Sequence, residues 1–274
     1  MPGPVELTKE VQRRWAKDRS CELDAQGYTR VLRDNLFEPL STETTLEFSE
    51  GDGGELGSDG HKGKMQALHS SSALACNVFD YWRHRNARPL AAALGLSGQI
   101  CSLRFEQKFP TGLPGNAPNL DVALLLDNGT TFAIESKFLE VYGRHSAGFK
   151  PKYFEHESGL WASRGFGHCE SLARALYDGS QTFRWLHAEQ LLKHVLGLST
   201  AGGRWHLHYL WYRVDHEHAK AHEIELDVFR TLVLKDRINF SAQTYQALFA
   251  KLETCGAAGH GPYVEYLRRR YFQQ

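Results

Sequence analysis

Apolar and polar positions alternate with period two in several places along this chain. In "SLRFEQKFP", Leu103, Phe105, Gln107 and Phe109 oppose Arg104, Glu106 and Lys108. That pattern predicts a strand, stopped by Pro110 and the loop "TGLPGNAPN" at 111–119. "RWHLHYLWYRVD" (204–215) alternates in the same way and predicts another strand. Between them, "PNLDVALLLDNGTTFAIESKFLE" (118–140) holds two apolar runs around Asp127-Asn128-Gly129, a hairpin signal. Helical spacing predicts helices over 67–82, 87–96 with Pro89 in the first turn, and 181–196. Segments 222–234 and 241–253 read as helices, the first in part as strand, and 262–272 reads as a basic closing helix. Residues 7–37 read as surface helices broken near Gly27. The Gly-rich 49–64 reads as a mobile loop, and 141–179 as an irregular insertion. Gly63-Lys64 lacks the spacing, the following Ser/Thr and the preceding strand of a phosphate-binding loop. No internal repeat is evident.

The hairpin pattern chooses its own register. A two-residue loop would send Asp121 and Glu135 to opposite faces. A three-residue loop, with Gly129 left-handed, sets Asp121 opposite Glu135. Only the second sorts the side chains cleanly. Val122, Leu124, Leu126, Phe132 and Ile134 share one face. Asp121, Ala123, Leu125, Thr131, Ala133, Glu135 and Lys137 share the other. Two carboxylates and an ammonium then gather at the end of the hairpin far from the turn. Two acids on neighbouring strands repel unless a cation lies between them. Hard oxygen donors favour Mg²⁺, which stabilises phosphoryl charge and activates water. A lysine one pleat away could polarise that water. The plain alternative is an ion pair at a strand end. The chain has two Glu-x-Lys triplets, Glu106/Lys108 and Glu135/Lys137, and roughly one arises by chance at this composition. The full constellation of Asp, bulged turn and acid-x-Lys on one face carries more weight than the triplet.

Asp121 followed by Glu135-Ser136-Lys137 on the next strand resembles the PD-(D/E)XK nuclease superfamily, with the proline displaced to Pro118. "SSSALACNVF", "RFEQKFP", "NLDVALLL", "IESKFLE" and "QLLKHVLGL" are similar to bacterial restriction-endonuclease-like proteins of that superfamily, over about residues 68–198. The resemblance implies an α/β, restriction-endonuclease-like core: helix, three-stranded meander, helix, strand. It would span 65–215 with the insertion 141–179. Residues 1–64 would belong to the same domain, and 216–274 would form a C-terminal helical extension. It implies that Asp121, Glu135 and the Ser136 carbonyl bind Mg²⁺, with Mn²⁺ able to substitute, and that Lys137 is the catalytic lysine. Gln190 matches a helix glutamine that orients such sites, with Lys193 or His194 a turn along. Superfamily members often carry an extra upstream acid on the first helix. No glutamate occurs in 67–95, so Glu106 takes that place, with Glu140 as a further outer acid. The implied activity is Mg²⁺-dependent hydrolysis of double-stranded DNA in a restriction or defence setting, with a homodimer if both strands are cut.

The remaining features qualify this picture. Lys and Arg number 32, as do Asp and Glu, so the chain has no global basic field and any nucleic acid must be held locally. Arg13-Arg14, Arg83-His84-Arg85 and Arg268-Arg269-Arg270 are candidate phosphate grips, the last flanked by Tyr263, Tyr266 and Tyr271. His218 and His222 at i, i+4 could ligate a metal but sit in a very polar run. His206 and His208 read as packed strand residues. Five scattered cysteines without CxxC spacing predict reduced thiols and a cytoplasmic protein. The N-terminus has no apolar signal region, and no run is long enough for a membrane span. A non-catalytic module that binds nucleic acid or protein on the same fold is the rival reading, since it needs none of Asp121, Glu135 and Lys137 together.

Overall fold

The computed structural model describes residues 3–51, 53–58, 60–143, 148–155 and 159–272. Parts of the expected Gly-rich loop (52 and 59) and of the expected insertion (144–147 and 156–158) lie outside the described residues. Helix α1 (Pro4–Asp18) opens with Pro4 in its first turn, where the missing N–H costs nothing. Helix α2 (Thr42–Ser49) is capped by Ser41, whose side chain accepts from Thr44 N–H. The glycine-rich stretch is not bare loop: Gly57–Ser58 (β1) pairs with His61–Lys62 (β2). Helix α3 (Ser71–Phe79) is capped by Ser70 and buried on every side from Ala73 to Phe79, as its all-round apolar sequence demands. Helix α4 (Arg88–Leu94) ends on left-handed Gly95.

The centre is a five-stranded mixed sheet of β3 (Ile100–Lys108), β4 (Asn119–Leu126), β5 (Thr130–Lys137), β6 (Arg204–Trp211) and β7 (Phe240–Thr244) in that order. The first three form an antiparallel meander, and β6 and β7 add in parallel. Between β5 and β6 run α5 (Gly167–Asp178) and α6 (Ala188–Ala201), and α7 (Glu217–Lys235) precedes β7. Helix α8 (Tyr245–Leu267) follows and ends in a π-helical turn, Arg268–Phe272. The two sheet faces are covered by different helices. His194 of α6 and His222 of α7 meet Glu135 and Tyr209 on one face. On the other face Ser136 Oγ lies 2.6 Å from the Tyr245 hydroxyl at the start of α8. Helix α6 comes close to the sheet end because Gly197 faces the Phe109 carbonyl, where a Cβ would lie 2.3 Å from the oxygen.

Several further element boundaries differ from the pattern-based expectations. Residues 7–37 supply only α1 and a 3-10 turn. Between them Asp24 takes Gln26 and Tyr28 N–H groups onto its carboxylate, a side-chain turn that stops helix. The expected helix over 181–196 starts at Ala188, because the Glu225 carboxylate captures the N–H groups of Arg184, Trp185 and Leu186. The insertion 141–179 contains α5, whose buried face is Cys169, Leu172 and Ala173. Segment 241–253 divides into the end of β7 and the start of α8 at the Thr244 cap. His206 and His208 pack as expected, stacked by Phe132 and bonded to Ser241 Oγ at 2.6 and 2.7 Å. Burial and the His206 neighbour hold His208 neutral, with its pKa down at about 3.

Candidate active site

The hairpin has the three-residue loop that its pattern demands. Gly129 is left-handed at φ 77°, and its N–H donates to Leu126 O at 2.9 Å. The pairs Val122–Ile134, Ala123–Ala133 and Leu124–Phe132 set the register that brings Asp121 opposite Glu135. The ladder stops at Val122–Ile134. There the Ser136 N–H donates to Asp121 Oδ2 at 2.6 Å instead. On its other side Asp121 faces Glu106, which leaves the pairing between Phe105–Val122 and Gln107–Leu120 and adopts φ 49°. A non-glycine residue in this region is strained, and such strain collects where geometry serves function. Regular pairing is thus lost on both flanks of Asp121.

Glu135 is 1% exposed. Lys137 Nζ lies 2.6 Å from its Oε1, and His194 Nε2 lies 2.8 Å from its Oε2. Burial opposes ionisation of Glu135, but Lys137 and His194 outweigh it and hold the carboxyl down at about 2. Lys137 loses solvation too, yet Glu135, Asp121 and Glu140 push its pKa up, so it is an ammonium. Asp121 behaves oppositely. Desolvation and then the Glu135 charge raise its pKa well above the ordinary range, against help from Lys137 and the Ser136 N–H. Asp121 and Lys137 keep partial exposure while Glu135 lies beneath them, so the cluster reaches solvent through its two upper members.

Further acids surround this trio. Half-buried Glu106 accepts from Asn119 Nδ2 at 3.1 Å, and desolvation with the charges of Glu55 and Glu135 raises its pKa. Glu55, from the glycine-rich stretch, is also raised, mainly by desolvation. Glu140 turns back to accept the Phe138 N–H at 2.7 Å. One ammonium faces several acids, and each Glu135 oxygen has one close neighbour, Lys137 at 2.6 Å and His194 at 2.8 Å. Asp121, Glu135 and Glu106 are hard oxygen donors of the type a divalent cation takes, but among the described residues the set of three ligand atoms lying within 4.8 Å of one another is His216, Glu217 and His218, not this cluster.

Asp121, Glu135 and Lys137 come together as the pattern implied. Ser136 contributes its N–H to Asp121 and turns its side chain to the opposite face. Gln190 lies on α6, but among the described residues its side chain bonds to none of the trio; His194, one turn on, makes the contact. No sequence signal separates the two: both lie on the same helix, and only the docking of α6 chooses between them. Glu55 had no signal at all in a stretch that reads as a loop.

Two of the three basic clusters are spent internally. Arg83 pairs with Glu47 at 2.6 Å and Asp80 at 3.2 Å, and Arg85 with Glu38 at 3.0 Å. Arg268 pairs with Glu253 at 2.7 Å, Arg269 with Glu265, and Arg270 is fully buried, 4.0 Å over the Trp15 ring. Tyr263, Tyr266 and Tyr271 are core residues. His222 is buried against Tyr209 rather than paired with His218. His218 instead lies near His216 and Glu217 at the start of α7, where ligand atoms lie within 4.8 Å of one another.

The fold and this side-chain cluster define a mixed α/β protein with a buried acid–lysine centre at the end of the β4–β5 hairpin. The family described as Restriction Endonuclease associating with ARP matches residues 9–272, and the chain belongs to it. The family's description points to a nuclease. No curated protein and no solved structure matches the chain. Among the described residues no helix is long and apolar enough to cross a membrane.

Proposed function

We propose that this protein is a Mg²⁺-dependent endonuclease that hydrolyses phosphodiester bonds of double-stranded DNA. The supporting observation is the pairing of a fully buried, ionised Glu135 with Asp121 and Lys137 at a break in the sheet ladder. A purely structural ion pair does not need the second acid, Asp121, whose pKa the Glu135 charge helps to raise. Asp121, Glu135 and the Ser136 carbonyl would hold the metal, with Glu106 beside them. When bound, Mg²⁺ supplies neutralising charge to the phosphoryl oxygens and makes bound water more acidic; Mn²⁺ supplies the same chemistry.

The chain's own groups have distinct tasks. Lys137, fixed as an ammonium by Glu135, donates to the attacking water or to a phosphoryl oxygen and so orients in-line attack. His194 braces the far oxygen of Glu135 and keeps that carboxylate in one rotamer. The Ser136 N–H does the same for Asp121. A water oxygen forms the new P–O bond and gives its proton to solvent, while the bond from phosphorus to the 3′- or 5′-oxygen breaks and that oxygen takes a proton from solvent. Cutting both strands calls for two such sites, which a two-fold homodimer would supply. The test incubates purified protein with supercoiled plasmid and with single-stranded DNA, in Mg²⁺, in Mn²⁺ and in chelator. Metal-dependent nicking or linearisation that disappears in Glu135→Gln is the expected result. Equal cleavage by Glu135→Gln, or none by the parent protein in either metal, ends this reading.

A further inference from the structure

Arg83, Arg85, Arg268 and Arg269 are paired with acids, but another group of cations among the described residues is not. Lys193 of α6 precedes His194, which touches Glu135. Its Nζ donates to Gly148 O at 3.1 Å and lies 5.3 and 5.7 Å from the ring centres of Phe149 and Tyr153. Lys152 Nζ lies 5.7 Å from the same Tyr153 ring and donates to the Pro114 carbonyl. Lys150 is exposed on the same 3-10 turn. Arg164 donates to Thr200 Oγ1 at 3.0 Å and to the Leu160 carbonyl. Among the described residues none of these four forms an ion pair with a carboxylate. Glu189 is the acid whose charge reaches Lys193, and burial with the charges of Lys150 and Lys152 still lowers the Lys193 pKa.

The rim is also anchored. Phe149, Tyr153 and Trp161 are buried beneath it, and Trp161 Nε1 donates to Tyr153 O at 3.2 Å. Its contacts to Thr111 and Pro114 join it to the loop that leads directly into β4 and Asp121. Holding like charges together on a fixed platform costs free energy that a polyanion would recover. We propose that the rim formed by Lys150, Lys152, Arg164 and Lys193 binds the phosphate backbone of duplex DNA and leads it to the acid–lysine pocket. The inference rests on the nuclease reading for its substrate, and it assigns the insertion a binding role.

The test titrates a fluorescent duplex in chelator, where no cleavage occurs, over a range of salt concentrations. Each phosphate contact contributes about one to the slope of log affinity against log salt. Lys150→Ala/Lys152→Ala should lower that slope by about two and weaken low-salt binding roughly tenfold or more. Lys150→Arg/Lys152→Arg should restore both, which excludes a folding defect. Arg268→Ala/Arg269→Ala, which removes paired cations, should leave the slope unchanged. An unchanged slope in the alanine double variant, equal loss in the arginine control, or no duplex binding by the parent protein would overturn the proposal. Rim-dependent binding without metal-dependent cleavage would uphold the rim and reject the nuclease reading. Cleavage with rim-independent binding would do the reverse.

Discussion

Two triplets in this chain share the same text pattern, Glu106-Gln107-Lys108 on β3 and Glu135-Ser136-Lys137 on β5. The first is half-open: Glu106 is partly buried and bonded to Asn119, and Lys108 is exposed. In the second, Glu135 is sealed at 1% exposure and gripped by Lys137 at 2.6 Å and His194 at 2.8 Å. The difference lies in position within the sheet. β3 is an edge strand, whereas β5 has β4 on one side and β6 on the other, with α6 packed above. A shared spacing therefore yields a half-buried edge-strand acid in one place and a sealed charge cluster in the other. Low dielectric multiplies whatever the buried charges do.

The comparison breaks if the two triplets prove equally important. Glu135→Gln should cut metal-dependent DNA cleavage about 10³-fold or more, against roughly tenfold or less for Glu106→Gln in the same plasmid assay. Lys137→Met should lose about 10²- to 10⁴-fold while Lys108→Met stays near parental activity. His194→Ala should cost about 10- to 100-fold, with part regained in His194→Gln, read together with the metal concentration for half-maximal rate. An effect confined to thermal stability would reduce His194 to a packing residue.

Two smaller effects are read in melting curves. The raised Asp121 pKa means that the folded protein keeps a proton that the unfolded chain has lost. Stability from this residue therefore falls as pH rises from the ordinary Asp value, 3.8, toward the elevated one. Asp121→Asn should abolish cleavage yet raise Tm by about 2 °C or more at pH 8 without metal, with the gain shrinking toward pH 4. A lower Tm at pH 8 would contradict the electrostatic account. Last, Glu106 at φ 49° should prefer glycine: Glu106→Gly should be about 1 kcal/mol more stable than Glu106→Ala in denaturant unfolding.

Much of the site was legible because a strand's chemistry is local. Asp127-Asn128-Gly129 and the two-residue alternation around it admit one tidy register, and that register alone sets Asp121 against Glu135. The misjudged segments had no such internal constraint. β7 is five residues long and pairs in parallel with β6, so its helix-like composition yielded to tertiary pairing. The start of α6 was set by Glu225, a carboxylate 39 to 41 residues distant. Some of the acids that pair with the arginine clusters are remote in sequence, such as Glu47 for Arg83 and Glu38 for Arg85, and carried no local signal.

The sequence by itself therefore determined the hairpin, its register and the face shared by Asp121, Glu135 and Lys137. The tertiary structure decided which Glu-x-Lys triplet is buried, that His194 rather than Gln190 meets it, and which cations remain without acids. The reason is one of range. Alternation and turn chemistry act over a few residues, whereas burial and charge pairing are settled only when distant segments pack.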